Sequence, residues 1–261
     1  MTTTPQTDPV ALLRSLGFRA PTDALNAFLT HATAARFSPT QVVEQLAVLE
    51  RQHRDAINLA SRTRHATLGK YKLLDKFDWN HPTNVSRELY EQLQSLEFIS
   101  RGENALFRGP CGIGKTTLAQ NLCHEALRKG MRVRFTTLAS MMAELLKQES
   151  LPALERRMRS YILPHVLVVD ELGYMPTDAR AADILFNIIS RRHLKASTII
   201  TTNLAYKDWP TIFPGASCLV ALVDRFAENC HVMDMDGESY RDLTAQQFRS
   251  KTKGGKPKKK S

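Results

Sequence analysis

Gly109-Pro110-Cys111-Gly112-Ile113-Gly114-Lys115-Thr116 meets every position of the spacing G-x-x-x-x-G-K-[ST]. That spacing has a chemical reason. A nucleoside triphosphate is wrapped by backbone N–H groups, and glycines at 109, 112 and 114 let the chain turn through conformations that a side chain forbids. The helix expected from Lys115 adds unpaired donors and partial positive charge aimed at an anion. Lys115 is expected to reach the β- and γ-phosphates and the Thr116 hydroxyl to bind Mg²⁺, while Pro110, Cys111, Ile113 and Thr117 complete the loop's contact with ATP. Residues 105–108 read as a strand before the loop and Thr117-Leu118-Ala119-Gln120-Asn121-Leu122 as a helix after it, a context that a glycine-rich turn in another fold would lack.

Outward from the loop, the chain alternates strand and helix, the pattern of an α/β fold with a parallel sheet flanked by helices. Strands are expected at 105–108, 132–137, 166–169, 198–202 and 231–235, and helices at 115–129, 138–148, 179–193 and 219–229. Val166-Leu167-Val168-Val169-Asp170-Glu171 is a buried-strand run ending in two acids. Asp170 is expected to hold Mg²⁺ directly or through water. Glu171 is placed to activate a water for attack on the γ-phosphate. Thr198-Ile199-Ile200-Thr201-Thr202-Asn203 ends in an amide, so Asn203 reads either as a water-positioning sensor of the γ-phosphate or as a turn former. An arginine donated by a neighbouring subunit can stabilise charge on a transferred phosphoryl group. Arg225 and Arg241 are the candidates, against the alternative of surface ion pairs.

The first 76 residues read as helical, opening with segments at 9–16 and 22–29 and a longer helix after Ser38-Pro39-Thr40. On that helix Val42, Leu46, Leu49, Ala56 and Ala60 trace an apolar stripe. Arg51, Arg54, Arg62, Arg64, Lys70 and Lys72 crowd its later part, with Asp55 the one acid between 51 and 72. Such a face can run along phosphate backbones without reading sequence; it can equally be a solvated surface or a partner-docking one. Phe77 and Trp79 follow, to flank an adenine or to pack in a core.

The net charge of +10 is uneven: 11 basic against 10 acidic residues in 1–100, 18 against 16 in 101–248, and seven against none in 249–261. The basic end, with glycine, proline and almost nothing apolar, is expected to be a disordered tail. The four cysteines form no C-x-x-C pair, and reduced thiols follow. No run approaches a membrane span and the first residues lack the parts of a secretory signal, so a cytoplasmic protein without a membrane partner is expected.

The series Asp75-Lys76-Phe77-Asp78-Trp79, Arg101-Gly102-Glu103-Asn104, Gly109 to Thr116, Val133-Arg134-Phe135-Thr136-Thr137, Asp170-Glu171-Leu172-Gly173-Tyr174, Thr202-Asn203, Asp224-Arg225 and Gly237-Glu238-Ser239-Tyr240-Arg241 resembles the IstB-type helper ATPases of insertion sequences. These are of the AAA+ class, close to the DnaC helicase loaders and DnaA initiators. The resemblance implies an AAA+ ATPase domain over 77–248, preceded by a DNA- or partner-binding helical domain over 1–76 and followed by the tail at 249–261. It implies ATP-dependent assembly of copies of the chain on double-stranded DNA and engagement of a transposase, with hydrolysis driving disassembly. By the same resemblance Asn203 is the first sensor, Arg225 the arginine acting across subunits and Arg241 a second nucleotide-sensing arginine. Cys111 departs from the family, which more often has proline or threonine there. A DnaC-like helicase loader is the alternative reading; a DNA-binding module with a degenerate site is disfavoured by the intact Lys115, Thr116, Asp170 and Glu171.

Overall fold

The computed structural model describes residues 8–174, 177–240, 242, 243 and 245, so Arg241 and the basic tail lie outside the described residues. It divides into two compact units between Ser61 and Arg62.

In the first unit α1 (Pro9–Ser15), capped by Asp8, and α2 (Thr22–Ala34) precede the long α3 (Pro39–Ala66), which belongs to this unit as far as Ser61. Val10, Ala20 and Leu25 form the small core, with Leu46 and Leu49 of α3 packed on it. Glu50 fixes the loop between α1 and α2: its carboxylate accepts the N–H groups of Arg19 and Ala20 at 2.9 Å and Arg54 Nε at 2.5 Å. The expected apolar stripe stops there, because Ala56 and Ala60 are exposed.

Residues 67–72, which follow α3, are stitched to the rest of the second unit. Thr67 Oγ1 donates to Phe135 O at 2.6 Å, Gln120 Nε2 to Leu68 O at 3.0 Å, and Asn121 Nδ2 to Lys72 O at 2.9 Å. Lys70 and Lys72, grouped by sequence with the basic helix, belong to this strip beyond it. After a single tight turn at Leu74–Lys76 come α4 (Arg87–Gln94) and the short α5 (Glu97–Ser100).

Five strands, β1 (Asn104–Arg108), β2 (Val133–Thr137), β3 (Val166–Leu172), β4 (Ser197–Thr202) and β5 (Cys230–Asp234), pair in parallel in the order β2-β3-β4-β1-β5. All lie within one residue of expectation except β3, which runs three residues further. A parallel sheet is covered on both faces, hence continuous apolar strands such as Val166 to Val169. The helices are α6 (Lys115–Arg128), α7 (Leu138–Leu145), α8 (Leu151–Ile162), α9 (Ala179–Arg192) and α10 (Leu219–Ala227). Right-handed crossovers put α6, which leads back across the sheet to β2, on the face opposite the others. The large core agrees: it joins Leu106, Leu167, Val169 and Ile200 to residues of α7 to α10. Alternate residues, Val168, Asp170, Ile199 and Thr201, therefore face α6.

No expectation covered α8. Its signals are ordinary: Ser150 caps Ala153 N at 3.4 Å, Pro152 occupies the first turn, and Leu154, Met158 and Tyr161 repeat at helical spacing. No helix among the described residues is long and apolar enough to cross a membrane.

Candidate nucleotide site

The phosphate loop joins β1 to α6 with Gly109, Gly112 and Gly114 at φ of 149°, 81° and 101°. Lys115 is buried, and its Nζ donates to Gly109 O at 2.6 Å and Pro110 O at 2.5 Å, which holds the ammonium over the loop. Cys111 is exposed, its Sγ 3.1 Å from the Tyr174 hydroxyl. Partial burial and the adjoining thiol push the Tyr174 phenol above its usual range.

Asp170 sits at the carboxyl end of β3 on the face of α6. Its Oδ1 accepts from Thr116 Oγ1 at 3.0 Å and also from Thr201 Oγ1 of β4. The neighbouring residue breaks the ladder. Val169 pairs with Ile200 and Leu172 with Thr202, so Asp170 and Glu171 together stand opposite Thr201 alone, a β-bulge. Glu171 is exposed at φ +58°, with its N–H on Thr201 Oγ1 at 3.0 Å. A left-handed conformation at a non-glycine residue costs about 1–2 kcal/mol and needs surrounding structure to hold it.

Around these residues lies a cavity of about 520 Å³, within the range that small-molecule sites occupy. It brings together Gly112, Ile113, Gly114, Lys115, Thr116, Thr117 and Glu171 of the expected site. The rest of its wall comes from Gln120, Tyr174, Thr201 and Tyr240 and from residues between Lys70 and Pro82, of which the sequence weighs only Phe77 for the nucleotide. Residues 72–83 and 236–240 hold one another. His81 Nε2 is 2.7 Å from Glu238 O, Thr83 N donates to Asp236 O at 2.8 Å, and Lys72 Nζ lies 5.4 Å from the Tyr240 ring centroid. Of the two aromatics weighed for adenine, Phe77 lines the cavity, whereas Trp79 packs on Tyr90 with ring centroids 5.4 Å apart and planes tilted by 59°, and Arg87 lies over its ring.

Among the described residues, six of the expected site stand outside the cavity lining: Gly109, Pro110, Cys111, Asp170, which reaches it through Thr116, Asn203 and Arg225. Asn203, just beyond β4, is exposed, with its Oδ1 3.2 Å from where a Cβ on Gly173 would lie. Arg225 is held on α9, donating from Nη1 to Ser190 Oγ with its guanidinium 4.9 Å from the Phe186 ring centroid. Gly109, Pro110 and Cys111 form the outer limb of the loop, and Arg241 is not among the described residues.

As a metal site, the donor set is partial. Among the described residues no group of three His, Cys, Asp or Glu side chains could enclose an ion. A hydroxyl and a carboxylate 3.0 Å apart beside a phosphate loop are instead the hard oxygens that Mg²⁺ takes when substrate phosphates and water complete its shell.

Comparison with known proteins agrees with this geometry. The family model described as IstB-like ATP binding protein matches residues 11–248. The IS21 ATP-binding protein of Pseudomonas aeruginosa is 35% identical over 70% of this chain and 69% of its own length. The IS5376 ATP-binding protein of Geobacillus stearothermophilus is 31% identical over 83% and 86%. Among solved structures, the replication initiator DnaA bound to AMPPCP and single-stranded DNA superposes with a TM-score of 0.52 at 19% identity, over 70% of this chain and 55% of that one. DnaI gives 0.51 at 15% identity, over 66% and 90%. At these identities the likeness shows the fold alone.

Proposed function

The chain belongs to the IstB-like ATP-binding protein family and is an ATPase, and on that premise we propose that it is an insertion-sequence helper that assembles on double-stranded DNA with ATP bound and engages a transposase. Hydrolysis then loosens the assembly. The observation that carries this reading is the constellation at the cavity: a complete phosphate loop, Thr116 on Asp170, and an exposed Glu171 one residue beyond.

Each of these residues has a step to perform. The loop's N–H groups and Lys115 bind the β- and γ-phosphates of ATP. Thr116 and Asp170 hold Mg²⁺, which when bound neutralises charge on those phosphates. Glu171 orients a water in line with the γ-phosphorus and takes its proton. Asn203, at the turn beside Gly173, senses the γ-phosphate from outside the first ring of contacts. Arg225 acts on the site of a neighbouring copy, a role supported by its position away from its own cavity. Exposed Arg51, Arg54 and Arg64 of α3, together with the basic tail, supply backbone contacts to DNA.

Glu171→Gln tests the whole scheme. It is expected to slow hydrolysis by about 10²- to 10⁴-fold while leaving ATP binding intact. In a gel-shift or sedimentation assay the variant then stays on duplex DNA with ATP, whereas the wild-type complex disperses as ATP is consumed. A wild-type protein that stays monomeric and ignores duplex with a non-cleavable ATP mimic overturns the reading. Preference for single strands and tight binding to a replicative helicase would favour a loader instead.

A further inference from the structure

We propose that Thr201 is a positioning residue for ATP hydrolysis, a single hydroxyl that sets both the metal-side acid and the water-side acid. The inference rests on the proposed roles of Asp170 and Glu171. It comes from the bulge, in which two residues of β3 oppose one of β4. Thr201 is that one residue. It is buried, and it faces α6 as Asp170 does.

A threonine hydroxyl has one proton to give and lone pairs to accept with. Here the proton goes to Asp170 Oδ1, the oxygen that also accepts from Thr116, and the acceptor side takes the Glu171 N–H at 3.0 Å. The first bond fixes the rotamer of Asp170 against the phosphate loop. The second gives a partner to a backbone N–H that the bulge has removed from the ladder, at the residue whose φ of +58° most needs one. Without it the strained residue can relax, and the Glu171 carboxylate moves with its backbone. Valine has the same shape without the hydroxyl, whereas serine keeps the hydroxyl and loses a methyl.

The test compares Thr201→Val with Thr201→Ser in the full chain, with Thr201→Ala as the reading if the valine variant fails to fold. The hydroxyl-free variant is expected to lose about 10- to 100-fold in kcat, the scale of a small misplacement of reacting groups, with KM for ATP changed less than about threefold. Thr201→Ser stays within about threefold of wild type. A second readout needs no turnover: amide hydrogen exchange in the nucleotide-free protein speeds up at Glu171 in the hydroxyl-free variant and not in the serine variant. The inference is overturned if valine or alanine at 201 leaves kcat at the wild-type value, or if serine is as impaired as valine. Failure of the underlying reading looks different, since the wild-type protein would then not hydrolyse ATP or Glu171→Gln would have no effect.

Discussion

Arg192→Met offers a quantitative check on how the second unit holds the strand that carries the two acids. Arg192 ends α9, is buried, and has no carboxylate partner among the described residues. Burial pulls its pKa down to about 9, so the side chain remains charged at neutral pH. Its guanidinium donates to Tyr161 O, Ile162 O and Pro164 O at 3.0, 2.9 and 2.8 Å, to Ser197 O at 2.5 Å, to Thr198 Oγ1 at 3.0 Å and, at 3.4 Å, to His165 O. The first two acceptors are the last carbonyls of α8, which no later turn of helix can satisfy, so Arg192 serves as that helix's C-terminal cap from another element. His165 O keeps a second donor in Ser197 N, at 3.1 Å. Methionine would take the shared Nη1 donors from the three carbonyls of Tyr161, Ile162 and Pro164, and the remaining donors from Ser197 O and Thr198 Oγ1; each buried acceptor left unsatisfied costs about 1–3 kcal/mol, partly offset because a buried charge is also removed. The net loss expected is about 3–5 kcal/mol, a large share of the ~5–15 kcal/mol that stabilises a domain. Lysine, with three donors in place of a fork, should recover about half. Both tryptophans, Trp79 and Trp209, lie in the second unit, so urea unfolding followed by tryptophan fluorescence reports on it alone. An Arg192→Met protein within about 1 kcal/mol of wild type would refute the capping argument, as would a lysine variant no better than methionine.

In the first unit, burial raises the pKa of Glu50, but hydrogen bonds from Arg54 and from the N–H groups of Ala20 and Arg19 outweigh it and hold the carboxyl at about 2 against a reference of 4.5. A depressed folded value means the stabilisation is fully present above about 4.5 and drains away as the pH falls toward 2. Hydrogen exchange at the Arg19 and Ala20 amides, corrected for intrinsic rates, should lose protection over that window, and Glu50→Gln should remove the window; unchanged protection down to pH 2 would contradict it. For Arg225, mixing Arg225→Ala protein with Lys115→Ala protein should restore part of the ATPase activity that each lacks, since one supplies intact loops and the other intact arginines. No recovery at any ratio would argue against a site shared between subunits.

The sheet was legible because parallel strands buried on both faces must be continuously apolar, and the loop because triphosphate binding needs glycines at fixed places. Asp170 and Glu171 stood out as the sole acids closing such a strand. What escaped was non-local or carried by weaker signals. The α8 helix had a cap, a first-turn proline and a periodic face, yet its charged residues masked the period. Residues 70–82 read as the end of a basic helix and a linker whose aromatics could face adenine or a core, and 237–241 as the seat of an arginine; only the convergence of 70–82 and 236–240 on the loop from opposite ends of the unit makes them cavity wall. Nor does composition announce a bulge: Val166 to Val169 reads as a strand closed by two acids, and the two-against-one pairing at Thr201 exists only once β4 is beside it.

That convergence changes what the loop's glycines are for. Phosphate wrapping alone explains their positive φ. The structure adds a second constraint on each, from a different segment. A Cβ on Gly109 would lie 2.0 Å from Met235 O, one on Gly112 2.3 Å from Ser239 Oγ, and one on Gly114 2.5 Å from Phe77 Cε2. Backbone cannot yield as a side chain can, so Gly109 is fixed by the sheet's own edge, while Gly112 and Gly114 admit the two walls of the cavity. Tyr240 N donates to Gly112 O at 3.1 Å and locks one wall onto the loop itself. A loop braced in this way from both ends of the unit meets the triphosphate already shaped, and ordering that is complete before binding does not have to be drawn from the binding energy.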